Sequence, residues 1–77
     1  MKTDIEITEA QKKFGAKVRQ LRERKGITQE NMDADDWAVP VRTVQAIESG
    51  RTDVKFSTIY KLAKKLGVTP DKLLAGL

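Results

Sequence analysis

The stretch V-P-V-R-T-V-Q-A-I-E-S-G-R, residues 39–51, decides how this chain is read. Pro40 suits the first turn of a helix, where its missing N–H breaks no bond, and Val44 with Ile47 at i, i+3 supplies an inward stripe that Gly50 brings to a stop. The spacing predicts a helix over about Pro40 to Ser49. Immediately upstream, Thr28 is a good N-cap for a helix opening at Gln29 with Met32 turned inward. Asp33, Asp35 and Asp36 would oppose the dipole at its end, so that helix is expected to be short.

Working outward in both directions adds three more helices. Thr8 with Gln11 three residues on reads as a capping box, after which Ala10, Phe14, Val18 and Leu21 recur at helical spacing until Gly26, predicting a first helix over about Glu9 to Lys25. Downstream, Ser57 reads as the cap of a helix carrying Ile59, Leu62, Ala63 and Leu66, with Gly67 ending it. Thr69 and Pro70 repeat the cap-and-proline signature before Leu73, Leu74 and Leu77. The expectation is an all-α fold of five helices in one compact domain over residues 8–77. Residues 1–7 form a loose N-terminal arm whose Ile5 and Ile7 pack on the first helix or on a partner subunit.

Composition narrows the function. With 77 residues the chain has room for one small domain, which buries only ~60% of the surface of its unfolded form. It has no Cys and no His, which removes disulfides, Cys/His metal sites and imidazole acid–base chemistry, and Ser49 and Ser57 have no base beside them. Neither catalytic residues, nor a cofactor, nor a metal is therefore expected. No run approaches the ~18 apolar residues of a membrane span, and the expectation is a cytoplasmic protein without membrane contact. The 15 Lys plus Arg exceed the 11 Asp plus Glu, giving +4, a balance that favours polyanions. The signs are segregated: Lys12, Lys13, Lys17, Arg19, Arg22, Arg24 and Lys25 crowd one segment, and the three aspartates another.

Two short helices joined by a tight turn are the skeleton of a helix-turn-helix, in which the second lies in the DNA major groove. Three motifs occur in order: L-R-E-R-K-G-I-T-Q-E at 21–30, V-P-V-R-T-V-Q-A-I-E-S-G-R at 39–51 and L-A-K-K-L-G-V-T-P-D-K-L-L at 62–74. Together they resemble the lambda-repressor-like (Cro/cI-type, XRE) helix-turn-helix family over about residues 14–74.

The resemblance implies a five-helix DNA-binding domain with its helix-turn-helix at the second and third helices, acting as a homodimer on a palindromic operator. It implies that Gln29 holds a DNA phosphate and that Val41, Arg42, Thr43, Gln45 and Ala46 face the bases. Arg42 can fork onto guanine, Gln45 can pair with adenine or reach a phosphate, and Val41 serves equally as a thymine-methyl contact or as core under the turn. Arg51, Thr52 and Lys55 match the family's backbone contacts, and Arg22 with Glu48 its structural ion pair. Trp37 falls at a core aliphatic position, and Phe56, Phe14 and Met32 are read as core. The C-terminal leucines either pair two copies or close the chain's own core.

The turn before Trp37 is one residue longer than the family pattern, and Ala38 stands where the family usually has a glycine at positive φ. The acidic stretch is either a solvated loop, a screen against nonspecific DNA, or a contact for a basic protein. A protein-binding helix-turn-helix, such as an antitoxin or adaptor, is the alternative function.

Overall fold

The computed structural model describes residues 2–77; Met1, the first residue of the expected arm, lies outside them. Among the described residues the fold is all-helical, with four α-helices, one short 3₁₀ helix and no strand. These are α1 (Lys2–Arg24), the 3₁₀ helix Glu30–Asp33, α2 (Val41–Glu48), α3 (Phe56–Leu66) and α4 (Pro70–Leu74). The expected count of five α-helices is therefore corrected to four.

The correction falls on the segment after Thr28. Thr28 Oγ1 does accept the Asn31 N–H at 3.0 Å, as a cap should. The Met32 N–H is then shared between the Thr28 and Gln29 carbonyls at 3.3 and 3.2 Å, and Ala34 N–H bonds back to Asn31. This tightened winding has a cause: Val39 N–H must reach the Met32 carbonyl at 2.8 Å, so the chain doubles back before a second α-turn can form. The longer turn is closed by left-handed backbone at Asp35 (φ 58°) and Trp37 (φ 64°), not at Ala38. For residues with a Cβ that conformation costs about 1–2 kcal/mol each.

Helix α1 begins at Lys2 rather than near Glu9. Thr8 caps nothing; its hydroxyl donates to the Asp4 carbonyl four residues back at 2.9 Å, inside a continuous helix with Asp4 in its first turn. The 23 residues, at ~1.5 Å each, account for most of the molecule's 40 Å length. Residues 2–9 are all exposed.

The core is small and draws on every element: Phe14 and Val18 of α1, Met32 of the 3₁₀ helix, Val39 of the turn after it, Val44 and Ile47 of α2, Leu62, Ala63 and Leu66 of α3, and Leu73 of α4. Leu21, Ile27, Val54, Ile59 and Val68 pack around it. Lys17, from the basic segment, bonds the carbonyls of Ala75 and Lys72 and so closes the end of α4. Two aromatic expectations fail. Trp37 is 45% exposed, because positive φ turns it away while Met32 and Val39 fill the core beneath. Phe56 is 77% exposed, because α3 starts at Phe56, one residue before Ser57, and Lys55 takes the cap position.

Candidate nucleic-acid interface

Helix α2 is held from behind. Gly15 of α1 lies against it so closely that a Cβ there would fall 2.1 Å from the Ile47 carbonyl oxygen. The two backbones touch at this crossing, and only glycine permits it. The helix ends at Gly50 (φ 71°), with Gly50 N–H on the Ile47 carbonyl and Arg51 N–H on that of Ala46, the bond pattern of a Schellman stop. A Cβ at Gly50 would come within 2.9 Å of the Lys12 backbone, so the exit of α2 is also pressed onto α1.

Arg22 and Glu48 form the centre of the attachment. Nε and Nη2 of Arg22 donate to the two carboxylate oxygens at 2.7 and 3.0 Å, and Nη1 donates to the Ile27 carbonyl at 2.9 Å. The side chains keep only 11% and 6% of their exposure. Donation to the Glu48 carboxylate holds the guanidinium pKa above its ordinary value, against the opposing pull of burial. Gln29 joins this network: its Nε2 donates to Glu48 Oε1 at 3.1 Å, which ties the 3₁₀ helix to the end of α2.

The outer side of α2 has a different character. Val44 and Ile47 are buried, Arg42 and Gln45 are exposed, and Val41, Thr43 and Ala46 are half-buried at the helix flanks. Arg42, Thr43 and Ala46 line one shallow depression together with Thr52 and Lys55. Asp53 lies in the same depression, with its carboxylate receiving Gln11 Nε2 at 2.6 Å. Gln29 and Gln45 line a second depression with Arg19, Arg22, Glu48 and Ser49. Val41 and Arg51 line neither depression.

Arg51 stands exposed directly beyond the helix stop, with Nε donating to Ser49 Oγ at 2.9 Å. The equivalent positions after α1 and α3 are Ile27 and Val68, both packed on the core. An apolar residue commonly closes such a stop, so the charged one at α2 leaves that packing for an outward contact.

Three residues beside this site went unassigned in the sequence. Gly15 carries no motif, since a glycine inside a helix reads only as a weak position. Arg19 stands one helical turn before Arg22, which was a signal for a shared face; it pairs with Glu23 at 3.2 Å and lines the Gln29 depression. Ser49 donates to the Ala46 carbonyl at 2.9 Å and holds Arg51.

A helix fixed to its support on one side and carrying a short row of polar and small side chains on the other, flanked by cationic donors, is the arrangement of a helix-turn-helix domain. The helix-turn-helix family pattern matches residues 18–73, and the chain belongs to that family, in its lambda-repressor-like (XRE) form. Its general function is DNA binding in the regulation of transcription. No curated protein and no solved structure matches the chain closely enough to count as a relative. Among the described residues no helix is long and apolar enough to cross a membrane.

Proposed function

We propose that this protein is a sequence-specific regulator that lays α2 in the major groove of double-stranded DNA and works as a homodimer on an inverted repeat. The observation that carries the reading is the two-sidedness of α2, buried through Val44 and Ile47 and outward through Arg42, Thr43, Gln45 and Ala46. Arg42 discriminates guanine through its bidentate fork, and Gln45 reads adenine or a phosphate. Val41 and Ala46 offer apolar contact to thymine methyls. Arg51, Thr52 and Lys55 engage the backbone and add affinity with little sequence preference. Gln29 keeps one amide N–H on Glu48 and turns the other to a phosphate, so the same side chain fixes the site and touches the ligand.

The dimer is proposed to form at the apolar end of the molecule. Leu73 is fully buried in the chain's own core and is not available to a partner, whereas Leu74 and Leu77 are exposed. With Ile7 they border an apolar hollow of about 230 Å³ that reaches Phe14, Ile47 and Ile59. A two-fold axis there would set two α2 helices ~34 Å apart, one turn of B-DNA.

Selection from a randomised duplex pool, followed by anisotropy titration of the winner and a scrambled control at two salt concentrations, tests the reading. An inverted repeat bound ~10³-fold above the control supports it. Binding that depends on salt and ignores sequence removes it, and favours the alternative of a protein-binding module. That alternative draws on Asp33, Asp35 and Asp36, which are exposed and enter no ion pair among the described residues. Arg42→Ala is expected to lose ~1–3 kcal/mol of preference at one base step. Arg51→Ala is expected to weaken all sequences alike and lower the salt slope by about one unit.

A further inference from the structure

Gln11 caps no helix, because α1 runs through it from Lys2 to Arg24. It is a half-buried amide on a helix face otherwise made of Ile7, Ala10 and Phe14, all of which border the apolar hollow. Its Nε2 donates to the Asp53 carboxylate at 2.6 Å, across 42 positions of sequence.

The loop at the far end of this bond, between α2 and α3, has few other restraints. Among the described residues no backbone N–H of Thr52, Asp53 or Val54 finds a backbone acceptor. Val54 packs around the core and holds the loop from beneath. Thr52 Oγ1 donates only to the neighbouring Asp53 carbonyl, at 3.1 Å, and Arg51 only to Ser49. The bond from Gln11 is the side-chain link between this loop and α1.

The charge on Asp53 gives that link a second effect. Asp53 lines the same depression as Arg42 and Lys55, two cations proposed to face DNA, yet it enters no ion pair among the described residues. A neutral amide on α1 engages its carboxylate instead. Released from that amide, the carboxylate would turn to one of the two cations and compete with a DNA phosphate for it.

We propose that Gln11 is a positioning residue for DNA binding. By holding the Asp53 carboxylate on α1 it fixes the loop that presents Thr52 and Lys55, and it leaves Arg42 and Lys55 to the nucleic acid. Gln11 acts through Asp53 and touches no DNA itself. The inference rests on the reading of α2 and the loop after it as the side that meets DNA.

Exchanging donor and acceptor tests the role. Gln11→Glu sets two carboxylates against each other, and adding Asp53→Asn returns an amide–carboxylate pair at the original net charge, with the amide now on the loop. The full chain is titrated by anisotropy with the selected duplex and a scrambled one over a range of salt, and NMR relaxation of the backbone amides of residues 51–55 is followed in the free protein. Gln11→Glu is expected to loosen those residues, to weaken binding of both duplexes about 10-fold, as loss of one charged hydrogen bond does, and to lower the salt slope by about one unit. The double variant should restore all three. Gln20→Glu makes the same charge change at an exposed position of α1 outside the depression, and should leave the loop and the salt slope as they were. Helical circular dichroism verifies that each variant is folded. An ordered loop or an unchanged salt slope in Gln11→Glu overturns the proposal, and so does failure of the double variant to restore binding. Equal binding of the two duplexes by the unaltered chain counts against base reading by α2 alone, because the loop's contribution is read on the scrambled duplex as well.

Discussion

The two ends of α2 are attached in opposite ways. At its C-terminal end Glu48 is gripped by Arg22 and Gln29, Gly50 is pressed on Lys12, and Gly15 touches the Ile47 carbonyl. At its N-terminal end the chain arrives through a turn with two left-handed residues, three carboxylates outside any ion pair among the described residues, and an exposed tryptophan. One end is satisfied; the other carries strain and unspent charge. The contrast teaches that α2 is seated from its C-terminal end, while the segment before it keeps its polar and aromatic groups exposed.

The comparison breaks first at Glu48. Glu48→Ala leaves Arg22 charged and nearly buried, and urea denaturation should show a loss of ~3–5 kcal/mol. A loss under about 1 kcal/mol would mean that the rear attachment resides elsewhere. The double variant Arg22→Met, Glu48→Leu should recover most of the stability, since an apolar pair of similar bulk often replaces a buried ion pair without penalty.

Gly15→Ala comes next. A methyl group 2.1 Å from a carbonyl oxygen forces α1 and α2 apart, and overpacking of this kind costs about 1–3 kcal/mol. The displaced α2 should also bind the selected operator more weakly than the loss of folding accounts for, as titration well below the unfolding midpoint would reveal. Unaltered affinity would separate the crossing from DNA reading. The smallest effect is expected at the other end: Asp35→Gly relieves one left-handed position and should gain about 0.5–1 kcal/mol in the same denaturation assay. A decrease would show that the turn is not strained there, and the contrast between the two ends would narrow.

Much of the fold was legible because its punctuation is local. Gly26, Gly50 and Gly67 stand after apolar runs, where a stop is expected, and all three have positive φ. The inward stripe of Val44 and Ile47 needed only the helical period. The family pattern likewise made Arg22 and Glu48 candidates for pairing, and their side chains meet in a two-point contact. What escaped depended on the sign of a dihedral or on a distant neighbour. The family pattern placed Trp37 in the core and its apolar side chain placed Phe56 there, yet an inserted residue and a two-residue shift in the cap of α3, from Ser57 to Lys55, put both outside. Thr8 matched a cap by spacing, but the spacing of a capping box is equally satisfied in mid-helix. Gly15 became meaningful only once Ile47, 32 positions later by number, lay on top of it.

The contact at Gly15 has a bearing on redesign. Because α2 is seated partly through main-chain atoms, its placement is decoupled from the identity of the outward side chains, and Arg42, Thr43 and Gln45 can be exchanged as a set while the holder stays constant. The chain is in that sense a socket: if α2 reads DNA as proposed, new operators are to be sought by randomising those three positions, with Gly15, Arg22, Glu48 and Gly50 behind them left unchanged.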